Sequence, residues 1–187
     1  MDELSLYVLD ITMNSVRAGA TDIAISLIEQ GPWLDFTVKD NGCGMTAEQL
    51  ARLADPFFTT RTTRKVGLGI PFLKMLAEMT GGGVEISSVH ESVGEHHGTE
   101  THARFGREHI DFIPLGNMTD TVVTLIQGSP EIDFTYLHRT EQGEVTLSTR
   151  ELREVLGEEI SLGEPEVLSW IGSYLQEQYE GLNRDSI

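Results

Sequence analysis

Ile23, Ile25 and Leu27 alternate with other residues, as do Leu34, Phe36 and Val38, and Gln30-Gly31-Pro32 between the two runs has turn chemistry. The result is a strand pair with one apolar face, and such a face must be covered. Helical periodicity on either side supplies the cover. Residues 2–18 carry Leu6, Leu9, Met13 and Val16 at helical spacing, with Gly19 placed for a left-handed cap. Thr46 and Gln49 form a capping-box pattern that opens a helix through Leu53. Another helix starts near Gly69, with Pro71 in its first turn, and stops at Gly81, Gly82 and Gly83. Val84 to Val89 and Thr99 to Phe105 then read as strands joined by the polar segment His90 to Gly98. This order predicts an α+β fold, a two-layer α/β sandwich with helices on one face of a mixed sheet.

After Gly106 the chain carries a second α/β pattern. Asn117 to Ile126 reads as a helix, Ile132 to Leu137 and Val145 to Leu147 as strands, and Ser148 with Glu151 as the cap of a helix that Gly157 ends. A last helix runs from Pro165 to about Tyr179, with Leu168, Ile171 and Leu175 on one face. Trp170 and Tyr174 near that face could serve a homodimer as well as an internal contact. The expected division is an N-terminal domain over 1–106 and a C-terminal α/β extension over 107–187, whose role the sequence does not disclose.

Composition narrows the partners. Lys plus Arg total 13 against 30 Asp plus Glu in 187 residues, and the net charge of −17 repels nucleic-acid phosphates and anionic membrane surfaces. No nucleic acid and no membrane are expected among the partners. Cys43, the only cysteine, permits neither an internal disulfide nor a cysteine-cluster metal site and fits a reducing, cytoplasmic setting. The chain starts without a basic-then-apolar leader, and no apolar run approaches the ~18 residues of a membrane span.

Four polar or glycine-rich stretches follow in order: Asp10-Ile-Thr-Met-Asn14, Asp40-Asn-Gly-Cys-Gly44, Gly67-Leu68-Gly69 and Gly98-Thr99. Asp10 and Asn14 lie one helical turn apart, so their side chains can converge on one ligand. Their oxygens suit hydrated Mg²⁺ and a water molecule, with Asn14 the candidate metal ligand and Asp10 the candidate base; a solvated polar face is the alternative. Asp40 follows a strand, and the glycines after it, Gly42 and Gly44, would let a flat ring approach the backbone. A carboxylate accepts from the exocyclic amine of adenine, although an Asp-Asn-Gly turn has the same spelling. Thr59 to Lys65 packs three cations and four hydroxyls into seven residues, directly before glycines at a helix N-terminus. That arrangement favours phosphate and nominates Arg61, Arg64 and Lys65, against the alternative of a basic surface loop. Phe72 stands where a dinucleotide fingerprint needs its third glycine. Five histidines between His90 and His109 could hold a metal, but their spacing suits a polar hairpin better.

Read together, these motifs over residues 4–105 resemble the GHKL superfamily of ATPases, which includes gyrase B subunits, heat-shock chaperones, mismatch-repair ATPases and histidine-kinase catalytic domains. Asp10 to Ala20 looks like the N box and Asp40 to Met45 like the first glycine box. Pro56-Phe-Phe-Thr-Thr60 and Gly67-Leu68-Gly69-Ile70 are similar to the kinase-type phenylalanine and second glycine boxes, and Gly98-Thr99 to the pair that supports the adenine-binding aspartate. The resemblance implies a Bergerat-type sandwich that binds ATP with Mg²⁺. It places Asn14 on the metal, Asp40 and Thr99 at adenine, and Gly42, Gly44, Thr60, Arg61, Lys65, Gly67, Leu68 and Gly69 around the nucleotide. It makes Asp10 the catalytic base, although hydrolytic members carry glutamate there, so slow turnover is expected. The eight residues 59–66 resemble a short kinase lid, and the N box stands almost at the first residue, as expected of a free-standing domain without a phosphoacceptor hairpin. The implied function is a regulatory kinase or weak ATPase acting on an unidentified protein partner. The alternative is a non-catalytic ATP-dependent switch like an anti-sigma factor, and a third reading keeps the fold without nucleotide binding.

Overall fold

Residues 3–53 and 69–184 are described by a computed structural model. Helix α1 (Leu4–Arg17) leads into strands β1 (Asp22–Gln30) and β2 (Trp33–Asp40), helices α2 (Ala47–Leu53) and α3 (Gly69–Met79), and strands β3 (Gly83–Val89) and β4 (Gly98–Gly106). Beyond them come α4 (Met118–Gly128), β5 (Asp133–Thr140), β6 (Gly143–Ser148), α5 (Thr149–Leu156) and α6 (Pro165–Arg184). All six strands form one sheet in the order β3-β4-β2-β1-β5-β6.

The alternating runs pair as an antiparallel hairpin in which Ile25 faces Val38 and Leu27 faces Phe36, so one face of the pair is continuously apolar. β4 pairs antiparallel with β2 and β3, β6 antiparallel with β5, and β5 parallel with β1. The sheet is therefore mixed, as expected. Its buried side chains, Phe36, Phe105, Phe134 and Tyr136 among them, form one core with the buried residues of α1, α3, α4 and α6. Each such side chain contributes roughly 1.5–3 kcal/mol by leaving water.

α1 differs from its sequence reading in which face it buries. Leu4, Tyr7, Val8 and Ile11 are buried, whereas Leu6 is exposed and Leu9, Met13 and Val16 are only partly covered. The helix lies on β1 and β2 between α3 and α4, so it is apolar over most of its circumference and spacing alone does not single out one stripe.

The segment after Gly106 joins the sheet of the N-terminal region. β5 runs beside β1 from Asp22–Asp133 to Ile28–Arg139, and α4 packs between α1 and α6. α1 has no side-chain N-cap; two of its free N–H groups, those of Leu4 and Ser5, donate to the carbonyls of Pro114 and Leu115 at 2.9 and 2.8 Å. The later segment thus anchors the start of the helix that carries Asp10 and Asn14.

Two polar ties hold α6. The Tyr179 hydroxyl lies 2.5 Å from that of Tyr136 and 2.8 Å from Nδ1 of His138. His138, 3% exposed, reaches Glu29 through Nε2 at 2.8 Å, and Arg107 pairs with the other Glu29 oxygen at 2.8 Å. Burial pushes the Tyr179 phenol up to about 12 and that of Tyr136 higher still, so both remain protonated. One residue earlier in the helix, the Gln178 amide binds the backbone of edge strand β6 twice: Thr146 N–H donates to Oε1 at 3.0 Å, and Nε2 donates to Thr146 O at 2.9 Å. Among the described residues no helix is long and apolar enough to cross a membrane.

Candidate functional site

Asp40 ends β2, and its half-buried carboxylate is held entirely by neutral donors. Oδ1 accepts the backbone N–H groups of Gly42 at 2.9 Å and Thr99 at 3.2 Å, and Oδ2 accepts the Ser15 hydroxyl at 2.5 Å. Such bonds to a carboxylate are short and strong. No cation among the described residues pairs with it.

The glycines around Asp40 serve the protein's own close packing. A Cβ on Gly42 would lie 2.8 Å from the Ala18 Cβ, and one on Gly98, where φ is +141°, would lie 1.9 Å from the Asp40 carbonyl oxygen. At Gly44, φ +67°, it would meet the Val89 carbonyl oxygen at 1.9 Å. These clashes account for the glycines without any approaching ring. The loop is also sewn to its surroundings: Cys43 N–H donates to Ala18 O at 2.9 Å, Glu91 N–H to Cys43 O at 2.8 Å, and Met45 N–H to the Ser88 hydroxyl at 2.8 Å. His97 Nδ1–H donates to Gly42 O at 2.5 Å, which fixes that nitrogen as the protonated one. Thr99 contributes its backbone to Asp40, while its hydroxyl sits 2.8 Å from that of Ser88.

Asp10 and Asn14 are half-buried on α1, one turn before and beside Ser15. The first residue of α3, Gly69, lies against Asp10, and a Cβ there would fall 1.8 Å from Oδ2. The positive end of α3 therefore faces this carboxylate. Asn14 Oδ1 accepts from Arg17 at 3.0 Å and keeps a second lone pair. A carboxamide oxygen and a carboxylate, half-buried and one turn apart, fit the hard-oxygen set that hydrated Mg²⁺ takes. Thr60, Arg61, Arg64, Lys65, Gly67 and Leu68 lie outside the described residues.

A cavity of about 770 Å³ opens beside Asp40 under Lys39, Ser87, His96 and Glu100, but neither Asp10 nor Asn14 lines it. Asp40 itself lines it, together with Ser88, His97 and Thr99. The hairpin histidines disperse: His97 goes to Gly42, His90 to Ser92 and His102 to Asp35, and no cluster of three metal-type ligands occurs among the described residues.

Sequence reasoning missed three residues here: Ser15, Ser88 and His97. For Ser15 a signal existed, since a serine beside Asn14 on a helix facing the Asp40 loop can reach the carboxylate. Ser88 and His97 depend on the hairpin folding back over the glycine loop, which no local pattern announces.

A family model described as histidine kinase-, DNA gyrase B-, and HSP90-like ATPase matches residues 2–109. The sensor histidine kinase ZraS of Escherichia coli O157:H7 is 29% identical over 90 residues, which cover 47% of this chain and 19% of that protein. The sensor protein kinase FleS of Pseudomonas aeruginosa is 39% identical over 64 residues, covering 33% and 16%. The chain thus spans less than a fifth of the length of these curated relatives. The Aquifex aeolicus MutL ATPase domain complexed with ADP superposes with a TM-score of 0.51 at 17% identity, over 83% of this chain and 69% of that one, and shares its fold.

Proposed function

Because the chain belongs to the histidine kinase-, DNA gyrase B-, and HSP90-like ATPase family, we propose that its ATP-binding domain is a cytoplasmic Mg-ATP-dependent regulator that phosphorylates a protein partner or, more slowly, water. The observation that carries the reading is the Asp40 carboxylate, fixed by three neutral donors and matched by no cation among the described residues. In this reading Asp40 accepts from the adenine amine, Thr99 holds the carboxylate through its backbone, and Gly42 and Gly44 shape the loop behind it. Thr60, Arg61, Lys65, Gly67, Leu68 and Gly69 bind the phosphates, where positive charge and free N–H groups stabilise the transferring phosphoryl group. Asn14 would hold Mg²⁺, which would supply positive charge to offset the negative charge of the phosphates.

Asp10 orients the acceptor and takes its proton as the acceptor forms a bond to the γ-phosphorus. The bond from that phosphorus to the β-phosphate oxygen breaks, and ADP leaves with the electron pair. Asp10→Asn keeps the size of the side chain and removes the base. Incubated with Mg-ATP, the protein should release ADP at a measurable rate that falls at least about 100-fold in the variant. Equal rates in the two proteins would end the assignment of Asp10.

A second reading rests on the backbone bonds from Leu4 and Ser5 to Pro114 and Leu115, which join the nucleotide helix to the later segment. Nucleotide binding at α1 could then shift the surface that 107–187 presents to a partner or a second copy, without turnover. Tight ATP binding with no ADP release, alone or with partners, selects this switch.

A further inference from the structure

A helical serine commonly returns its hydroxyl to the carbonyl four residues back. Thr12 does so in α1, donating to Val8 O at 2.7 Å. Ser15, 4% exposed in the next turn, instead donates across to Asp40 Oδ2 at 2.5 Å. We propose that Ser15 is a specificity-determining positioning residue whose hydroxyl fixes Asp40 as an acceptor-only group and so sets the preference for ATP over GTP. The inference rests on the reading that Asp40 receives the base.

A carboxylate offers about four lone-pair sites. Gly42 N–H and Thr99 N–H occupy the two on Oδ1, and Ser15 occupies one on Oδ2. One acceptor site is left, on an oxygen that the Ser15 bond holds in place. A purine with an amine at C6 donates to it. A purine with a carbonyl at C6 sets acceptor against acceptor, and a polar mismatch of this kind discriminates far better than a change of shape. Relief requires the base to slide until another of its donors reaches Oδ2, or Oδ2 to swing away from the C6 carbonyl. The Ser15 bond holds Oδ2 against that swing. Without the hydroxyl, ATP loses an aligned acceptor and guanine meets a softer one.

The test is calorimetric titration of the full chain with ATP, GTP and ITP in the presence of magnesium chloride, for the native protein, Ser15→Ala, Ser15→Thr and Asp40→Asn. ITP separates the C6 carbonyl from guanine's additional amine. The native protein should prefer ATP. Ser15→Ala should lower the ATP-to-GTP and ATP-to-ITP affinity ratios about tenfold, as expected for losing one charge-assisted hydrogen bond. Ser15→Thr keeps the hydroxyl and should keep the ratios. If Ser15→Ala fails to fold, Ser15→Cys, nearly the same size and a weak donor, should show the same loss. Equal weakening of all three nucleotides, or unchanged ratios, would mean that Ser15 is only structural and overturns the proposal. Asp40→Asn reports on the underlying reading: a native-like ATP preference in that variant shows that the base is read elsewhere, and both ideas fall together. Loss of preference in Asp40→Asn with none in Ser15→Ala removes Ser15 alone.

Discussion

Asp40 and Glu29 stand at opposite ends of the same β1–β2 hairpin, both partly buried, and the protein treats them in opposite ways. Glu29 is clamped on both oxygens, by the His138 ring on one and the Arg107 guanidinium on the other. Asp40 receives only backbone N–H groups and a serine hydroxyl. Cationic partners use up a carboxylate's field and turn it into a clamp between elements. Neutral donors orient a carboxylate and leave its charge to act on something else. The contrast separates a structural anion from one available to a ligand, although composition and burial make them look alike.

The largest expected effect comes from breaking the clamp. His138→Ala leaves Glu29 and Tyr179 without their shared partner inside the core and should cost about 3 kcal/mol in urea unfolding. ATP affinity of the folded variant should stay within about twofold, because distant sites act independently. A comparable loss of ATP binding would erase the distinction between the two carboxylates.

Acid should act next most strongly, and through Glu29. The hydrogen bond from His138 holds this carboxyl below its ordinary value of 4.5; burial opposes the shift, and the charges of His138 and Arg107 add to it. A lowered folded value means that the contribution is complete above the unfolded value and disappears as pH falls through the folded one. Melting temperature measured from pH 7 down to 3 should therefore decline more steeply in the native protein than in Glu29→Gln. Parallel curves would show that the pair does not titrate with folding. The smallest change in fold stability belongs to Asp40→Asn, at about 1 kcal/mol or less without nucleotide, since the amide oxygen can keep the two backbone N–H bonds and the Ser15 hydroxyl can turn to accept from the new NH2 group. In that variant the rise in melting temperature on adding Mg-ATP should disappear.

Local chemistry made much of the fold legible. The Thr46 and Gln49 pattern is a reciprocal box, with bonds of 2.9 and 3.2 Å, Asn117 and Ser148 cap their helices, and Gly19 takes its left-handed φ of +74°. These signals act within a few residues. The parallel pairing of β5 with β1 has no such signal, because alternation states that a strand has two faces and says nothing about its neighbour. Spacing does not single out the buried face of α1 for a related reason: contact with the sheet, α3 and α4 leaves several apolar stripes of similar strength. At the site, the loop and Asp40 were visible as a spelling. His97 was not, since its meaning comes from a contact 55 residues away, and Ser15, whose contact is 25 residues away, was hinted at only by its place beside Asn14.

The two hydrogen bonds between the Gln178 amide and the Thr146 backbone have one more consequence. A primary amide that both donates and accepts imitates the next strand, so the β6 margin is already occupied at its midpoint by the protein's own side chain. Among the described residues the opposite margin, β3, has no sheet neighbour on its outer side, and it leads directly into the hairpin that grips the glycine loop. A chain that lengthened the sheet at β3 would lie next to that hairpin, which would make such an assembly responsive to what the loop holds.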